Sequence, residues 1–384
     1  MTSYKRLFQR AIAAAPDRLH FAAHSHHLWP DASFVGHLAA WEDSVRLADL
    51  KWDRVLGEIY PAGQQHVAIE LGLPDPSTMV FAPNTHELLV RLVSAFPRKP
   101  VRILATDGEF HSFRRQSERW LEGGTITLDK VAVDGADFSQ RLVDRAATGN
   151  YDLIFVSQLM FGSGKPFDRL DELAALAKPE GPWVVVDGYH GFMAVETDLS
   201  AVHDKVFYLT GGYKYAMSGE GVGMMHAPHG YGPRPEVTGW FAEFQDLQLP
   251  PGVCGYLPDA RRFMGATFDA TGLYRFVAVR DMLAEEGLTT AKISAHVATM
   301  RDRLLAGIPA TPLAEAELLN PPGNGAQARF LAYRHPSAQR WKQWLVEEGV
   351  ITDVRGDVLR IGIGLYHDAI DVDRLLGVLT DLPK

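Results

Sequence analysis

The sequence predicts an α/β fold in which a mostly parallel sheet is flanked by helices and followed by a smaller α+β domain. Between residues 35 and 260, short apolar runs alternate with longer amphipathic stretches, which is typical of helices that cover both faces of a parallel sheet. The 384 residues exceed the size at which a single core usually keeps growing. We therefore expect an N-terminal segment (1–34), a large α/β domain (35–260) and a small C-terminal domain (261–384).

The strands of the large domain are predicted at nearly continuous apolar runs, which indicate strands buried on both faces. These runs are residues 78–82, 101–106, 152–157, 183–187, 206–210 and 222–226. Helices are predicted at 85–95 and 170–177, where apolar side chains recur at helical spacing. The Pro- and Gly-rich stretch 232–265 is predicted to be an irregular connection.

The C-terminal domain is predicted to begin with long helices and to continue with short strands. The helices are expected at 272–286, 289–307 and 371–379, and the strands at 329–333 and 358–363. In an open parallel sheet, ligands bind beyond the carboxyl ends of the strands. The candidate site residues therefore lie at 84–85, 109–112, 157–158, 187–190 and 213–214.

Composition and charge exclude several classes of protein. The formal net charge is −9, which argues against a nucleic-acid binder because such proteins normally carry a basic patch. Cys254 is the only cysteine, so neither an intrachain disulfide nor a cysteine-based zinc site is expected. No stretch approaches the ~20 apolar residues that span a bilayer. We expect a cytoplasmic protein that contacts neither membrane nor nucleic acid.

Two charged residues, Lys214 and Asp187, follow neighbouring predicted strands. Lys214 lies in a glycine-rich turn between two apolar runs, and Asp187 ends the run before it. Burial lowers the pKa of an amine and makes it nucleophilic toward aldehydes. The pair suits pyridoxal 5'-phosphate, because a lysine forms the Schiff base and a carboxylate holds the ring nitrogen protonated. Taken singly, each residue has an alternative interpretation without a cofactor. Lys214 alone is consistent with a solvated turn lysine, and Asp187 alone with a helix-capping aspartate.

The surrounding motifs resemble the class V aminotransferase family of fold-type I pyridoxal-phosphate enzymes, and within it the kynureninases. Segment 213–221, Tyr-Lys-Tyr-Ala-Met-Ser-Gly-Glu-Gly, resembles the kynureninase lysine segment. Thr-Gly-Trp-Phe at 238–241 and Pro-Gly-Val-Cys-Gly-Tyr at 251–256 resemble two further kynureninase stretches. The likeness runs from about residue 77 to residue 366. It implies the fold-type I architecture, pyridoxal 5'-phosphate as the cofactor and a homodimer.

The resemblance also implies which residues hold the cofactor. Asp187 contacts the pyridine nitrogen, and His190 lies near the ring hydroxyl. Asn84 and Thr85 open a helix, where free N–H groups and the helix dipole suit the phosphate. Phe110 stacks on the ring. The alternatives are a simple helix cap for Asn84 and core positions for Phe110 and His190.

Four further assignments concern the substrate and the second subunit. Arg360 matches the arginine that binds the substrate carboxylate, a role that suits its fork of donors; a surface salt bridge is the alternative. Trp240 is assigned to the substrate pocket and Tyr213 to the vicinity of the cofactor. Thr267 matches the threonine that reaches the phosphate of the neighbouring subunit.

The sequence also departs from the kynureninase pattern. Phe113 stands where that family has an aspartate, and no asparagine matches the residue that contacts the aryl group. A pocket of Phe113, Trp240 and Tyr256 would favour an apolar or aromatic side chain over kynurenine. Residues 24–27, His-Ser-His-His, replace Asn-Ser-Leu-Gly at the expected active-site mouth. No metal is expected there, because no nearby Cys, Asp or Glu completes a ligand set.

The leading functional hypothesis is a kynureninase-like hydrolase or lyase that acts on an α-amino acid. An aminotransferase of the same family is the first alternative, and a scaffold without catalysis is the second. A cysteine desulfurase is disfavoured, because residues 255–384 contain no cysteine to act as its nucleophile.

Overall fold

The computed structural model describes residues 2–246, 250 and 252–383. Its strands are β1 (Leu19–His20), β2 (Met79–Ala82), β3 (Val101–Thr106), β4 (Ile126–Val131), β5 (Leu153–Ser157), β6 (Trp183–Asp187), β7 (Val206–Gly211), β8 (Gly223–His226), β9 (Glu317–Leu318), β10 (Phe330–Arg334), β11 (Val350–Ile351), β12 (Asp353–Arg355) and β13 (Val358–Gly362). Its α-helices are α1 (Gln9–Ala13), α2 (Asp31–Leu47), α3 (Lys51–Arg54), α4 (Tyr60–Leu71), α5 (Thr85–Ser94), α6 (His111–Glu122), α7 (Phe138–Thr148), α8 (Leu170–Ala174), α9 (Thr271–Glu285), α10 (Thr290–Gly307), α11 (Ala338–Glu347) and α12 (Ala369–Thr380). A π-helical turn, Val55–Ile59, joins α3 to α4.

The large sheet has the strand order β2-β8-β7-β6-β5-β3-β4. The strands from β7 to β4 are all parallel, whereas β8 runs antiparallel to β7 and β2 antiparallel to β8. β5, β7 and β8 are buried along their whole length, which explains their nearly continuous apolar sequences. The predicted fold class, a mostly parallel sheet flanked by helices, is therefore confirmed.

Several predicted boundaries differ from the structure for local reasons. β4 was not predicted, because it is an edge strand whose exposed side chains include Thr127 and Asp129. The strand predicted at 78–82 begins only at Met79, because residues 76–78 form a 3-10 turn. The side chain of Asp75 caps this turn by accepting a hydrogen bond from the Ser77 N–H. Helix α8 ends at Ala174 rather than 177. Pro251, in the stretch that resembles kynureninase, lies outside the described residues.

The C-terminal part contains an antiparallel sheet of order β12-β13-β10-β9, with α11 packed against β12 and β13. The N-terminal segment joins this region, because β1 pairs with β11 in parallel and Ala22 bridges to Gly362. The three-part division at residues 34 and 260 stays a prediction. Across the described ranges, no helix is both long and apolar enough to cross a bilayer.

Candidate active site

A cavity of about 320 Å³ lies at the carboxyl ends of β5, β6 and β7. This volume is within the range of small-molecule sites, and the location is where parallel sheets bind ligands. The predicted site residues that line it are Asn84, Thr85, Phe110, Asp187, His190, Tyr213 and Lys214. The fold thus brings together residues that are up to 130 positions apart in the sequence.

Lys214 is a buried lysine, with only 4% of its surface exposed. Burial lowers its pKa to about 7, and the nearby carboxylate of Asp187 opposes this shift. The Nζ atom lies 4.7 Å from the centre of the Tyr189 ring and 5.4 Å from the centre of the Phe110 ring. Near neutral pH, much of this lysine is therefore an uncharged amine, which is the nucleophilic form.

The turn that carries Lys214 is fixed by close backbone packing. The Ser218 N–H donates to the Gly212 carbonyl at 2.9 Å, and a Cβ on Gly212 would lie 2.3 Å from Ser218 Oγ. Gly219 has a φ of +71°, which favours glycine. The buried Arg275 donates from Nε to the Ser218 carbonyl at 2.7 Å. These contacts explain why a glycine-rich sequence surrounds the lysine.

Asp187 occupies the carboxyl end of β6, on the wall of the same cavity. Its Oδ1 accepts a hydrogen bond from the Tyr189 N–H at 2.9 Å. Burial raises the pKa of Asp187, whereas this hydrogen bond and the charge of Lys214 lower it. A cationic ligand group beside Asp187 would favour its ionised form.

His190 is buried, and both of its ring nitrogens lack a hydrogen-bond partner within the described part of the chain. Its ring meets Phe330 edge-on, with the ring centres 5.5 Å apart. Burial holds the pKa of His190 well below its usual value, and the positive charges of Lys214 and Arg360 add to that effect. A neutral imidazole with free nitrogens on a cavity wall fits a ligand that carries a hydroxyl group.

The first turn of α5 forms another wall of the cavity. Asn84 caps the helix, accepting at Oδ1 from the Glu87 N–H at 3.0 Å, and Thr85 and His86 line the cavity beside it. A Cβ on Gly223 would lie 2.4 Å from the Asn84 carbonyl carbon, so the close approach of β8 requires glycine there. A helix N-terminus is a favourable site for a phosphate.

Arg360 does not line this cavity. Its Nη1 donates to the Phe161 carbonyl at 2.6 Å, and its Nη2 donates to the Asp353 carboxylate. The guanidinium carbon lies 4.6 Å from the centre of the Phe161 ring, which itself lines the cavity. Burial lowers the pKa of Arg360 to about 10. Arg360 is thus close to the cavity but is paired internally, and its role toward a substrate stays a prediction.

Trp240 and Thr267 lie together but away from this cavity. Trp240 Nε1 donates to Thr267 Oγ1 at 3.2 Å, and both residues are exposed. The Tyr256 hydroxyl donates to the Pro235 carbonyl at 2.6 Å, also outside the cavity. The single chain therefore does not form the expected pocket of Phe113, Trp240 and Tyr256, although Phe113 does line the cavity. The roles assigned to Trp240 and Thr267 remain predictions.

The N-terminal histidines contact the lysine turn, and the placement of their segment at the mouth of the active site stays a prediction. The His27 N–H donates to the Tyr213 carbonyl at 3.0 Å, and the His26 ring stacks on the Tyr213 ring with centres 4.9 Å apart. His24 is fully buried and stacks on Phe330. Among the residues that the structure describes, no group of His, Cys, Asp and Glu side chains is arranged to hold a metal ion.

Several residues that line the cavity, among them Tyr189, His86 and Phe161, were not assigned roles from the sequence. Tyr189 and His86 lie within motifs that the resemblance identified, so their positions were detectable. Phe161 follows β5 in a loop, and no local pattern marks it. Its ring contacts the Phe110 ring edge-on, with centres 5.0 Å apart.

Comparisons with known proteins agree with this geometry. The kynureninase C-terminal domain family matches residues 293–379. Isopenicillin N epimerase from Streptomyces clavuligerus is 29% identical over 80% of this chain and 81% of its own. Kynureninase from Deinococcus radiodurans is 27% identical over 59% of this chain and 56% of its own. These relatives confirm the predicted resemblance to class V pyridoxal-phosphate enzymes and to kynureninase.

Solved structures give the same fold. The cystine C–S lyase C-DES, in complex with cysteine persulfide, is 18% identical and has a TM-score of 0.80 over 97% of this chain and 100% of its own. A cysteine desulfurase from Thermococcus onnurineus NA1 is 17% identical and has a TM-score of 0.78 over 100% of this chain and 98% of its own. These likenesses confirm the fold-type I architecture. The predicted cofactor, pyridoxal 5'-phosphate, is the one that the class V family uses.

Proposed function

We propose that this chain is a pyridoxal-phosphate enzyme that acts on an α-amino acid in a kynureninase-like hydrolase or lyase reaction. The observation that carries the proposal is a buried lysine with a pKa lowered to about 7, in one cavity with a strand-end carboxylate. When bound, the cofactor supplies an electron-withdrawing ring that stabilises negative charge on the substrate carbon. The residues of the chain bind and orient this ring and move protons.

Lys214 has two tasks in this proposal. Its amine would hold the cofactor at the aldehyde carbon, and no proton would have to be removed first because burial already disfavours the ammonium form. With substrate bound, Nζ would serve as the general base or acid that accepts or donates a proton at the substrate carbon, because its pKa lies near the working pH.

Asp187 and His190 would orient the ring. Asp187 would accept the hydrogen bond of the ring N–H, and burial of the site would strengthen this charged contact. His190 stays neutral chiefly because it is buried, so one of its nitrogens would be free to accept a hydrogen bond from the ring hydroxyl.

The phosphate is proposed to lie at the N-terminus of α5, against Asn84 and Thr85. Among the described residues that line the cavity, Lys214 is the only lysine or arginine. A phosphate dianion would gain from donors in addition to those at the N-terminus of α5. We propose that Thr267 of a second copy of the chain provides one of them, which makes the protein a homodimer.

One face of α2 suits such a dimer. Its inner face packs on α9, where a Cβ on Gly36 would lie 2.6 Å from the Tyr274 carbonyl oxygen. Its outer face exposes large apolar side chains, namely Phe34, Val35, Leu38, Trp41 and Val45. Exposed apolar patches of this kind mark interfaces.

The reaction class can be tested with purified holoenzyme and a panel of single amino acids. A hydrolase or lyase releases a fragment of the side chain without any keto acid, which mass spectrometry of the products detects. Turnover that depends on an added keto acid would favour the aminotransferase instead. Chemistry at a nucleophilic cysteine is not proposed, because the single cysteine, Cys254, is exposed and does not line the cavity. A protein that binds no cofactor would overturn the proposal.

A further inference from the structure

Glu109 is a buried carboxyl group directly behind the cavity wall, with 6% of its surface exposed. Its Oε1 accepts hydrogen bonds from Thr106 Oγ1 at 2.6 Å and from the Ser157 N–H at 3.2 Å. Its Oε2 accepts from Ser157 Oγ at 2.5 Å. The three donors come from the carboxyl ends of β3 and β5. The hydrogen bonds of this buried carboxyl group are thus satisfied by the fold, as expected for a polar group that has a structural or functional role.

The hydrogen bonds of Glu109 connect it to the candidate active site. Ser157 lines the cavity, and it is the strand partner of Asp187 in the pairing of β5 with β6. Phe110, the next residue after Glu109, also lines the cavity. A change of charge or position at Glu109 therefore acts on the residues that face the cofactor.

The charge that acts on Glu109 comes from Asp187. The pKa of Glu109 is raised to about 7: burial raises it most, the negative charge of Asp187 also raises it, and the hydrogen bonds from Ser157 and Thr106 oppose the shift. The contacts from β3 and β5 are uncharged. Met160, which accepts from Thr106 Oγ1 at 3.8 Å, is uncharged as well.

The helix next to Glu109, α6, turns its charged side chains outward: Arg114 is exposed, and its Nη2 contacts Nδ1 of the exposed His111 at 2.9 Å. The positive charge of Lys214 acts on Asp187, whose pKa it lowers. Glu109 and Asp187 are thus two carboxyl groups that are linked through Ser157.

We propose that Glu109 is a positioning residue whose negative charge retains the proton that Asp187 shares with the cofactor's ring nitrogen. The inference rests on the proposed function. When Glu109 is ionised, the extra negative charge behind Asp187 makes removal of that shared proton harder. Glu109 gains this charge as the pH rises through about 7. Glu109 also fixes Ser157 through two hydrogen bonds, so the wall beside Asp187 stays in place.

The ionisation of Glu109 can be observed directly by infrared difference spectroscopy of the holoenzyme between about pH 5 and pH 9. We expect the C=O band of a protonated carboxyl group that disappears with a midpoint near pH 7 and is absent from Glu109→Gln. Thr106→Val removes one donor to the carboxylate and should raise the midpoint by about one pH unit. The proposal would be overturned if Glu109→Gln showed the same carboxyl C=O band with the same pH dependence. If Glu109→Gln does not fold, an unchanged pH midpoint of this band in Thr106→Val would overturn it instead.

The second measurement follows the cofactor's absorbance and kcat/KM against pH. In Glu109→Gln, the alkaline loss of the ring proton should move to lower pH by about one unit. Thr106→Val is the matched control, because Glu109 is still present and charged at alkaline pH in this variant. The alkaline limb of its pH profile should therefore stay in place. An unchanged alkaline limb in Glu109→Gln would overturn the proposal. Failure of the wild-type protein to bind pyridoxal 5'-phosphate would instead overturn the proposed function, and the infrared result separates the two.

Discussion

Asp353 holds the guanidinium group of Arg360 from within the protein. The two residues are cross-strand neighbours in the pairing of β12 with β13, and Arg360 Nη2 donates to the Asp353 carboxylate. The same carboxylate contacts Arg355 Nη2 at 3.3 Å, so it lies between two arginines. A substrate carboxylate that binds Arg360 through two parallel hydrogen bonds must compete with Asp353 for this edge.

This competition makes Asp353→Asn an informative variant. The amide keeps the size of the side chain but removes its charge, so Arg360 becomes a stronger partner for a substrate carboxylate. We expect the KM for the amino acid substrate to fall by about tenfold, the worth of one charge-assisted hydrogen bond. Glu317→Gln is the control, because Glu317 pairs with Arg334 on the exposed part of the same sheet. A higher KM in Asp353→Asn would show that Asp353 positions Arg360 rather than competing for it.

Arg360→Ala is expected to weaken amino acid binding by orders of magnitude, since loss of a buried charge-assisted contact costs ~2–5 kcal/mol. The absorbance of the bound cofactor should stay unchanged, because Arg360 does not line the cavity. Titration of the holoenzyme with substrate, followed by absorbance, measures this directly. An unchanged half-saturation concentration would assign Arg360 to the internal salt bridge alone.

Lys214→Ala should abolish both the visible absorbance of the bound cofactor and the turnover. Borohydride reduction of the wild-type protein should fix the cofactor on a peptide that contains Lys214. Lys178→Ala is a suitable control, because Lys178 is exposed and does not line the cavity. A labelled peptide that contains another lysine would contradict the assignment.

The rate of cofactor capture by the apoprotein should depend on pH in a characteristic way. The neutral amine of Lys214 is the reactive form, and its pKa is lowered to about 7. The second-order rate should therefore rise with pH up to about 7 and then level off. An ordinary lysine would continue to gain reactivity up to about pH 10. Stopped-flow absorbance distinguishes the two profiles, and a rise that continues to pH 10 would argue against a depressed pKa.

Asp187→Ala should reduce kcat by about two to three orders of magnitude or more, because it removes the charge that holds the ring proton in a dry site. The affinity for the cofactor should change much less, since the helix N-terminus at Asn84 and Thr85 is untouched. Equilibrium dialysis and initial rates test the two parts separately. Turnover close to that of the wild type would remove Asp187 from the mechanism.

The apolar face of α2 leads to a prediction about assembly. Trp41 is 62% exposed, and Trp41→Glu places a charge in the centre of this face. We expect the particle mass in sedimentation equilibrium to fall from that of a dimer toward that of a monomer. Val346→Glu is the control, because Val346 is a half-exposed apolar residue on another helix, α11. A dimer that survives Trp41→Glu unchanged would place the interface elsewhere.

The sequence predicts those parts of the site that depend on local signals. Asp187 ends a buried strand and Lys214 follows the next one, and buried parallel strands leave a clear apolar pattern. The pairing of Arg360 with Asp353 was not predicted, because β12 is a three-residue, half-exposed strand without such a pattern. Phe161 was missed for a similar reason, since a loop residue gains its role only from the tertiary fold. Thr267 is harder still, because its proposed role depends on a second copy of the chain.

The pairing of β1 with β11 has a consequence for folding. Leu19 pairs with Val350, and the residues that follow β1 lead directly to the contact between His27 and the lysine turn. Contacts between such distant parts of a chain form slowly compared with local ones. β1 therefore gains its strand partner only when Val350 and Ile351 have folded into place. The segment that contacts the lysine turn is then fixed at two points, by β11 at one end and by the Tyr213 carbonyl at the other.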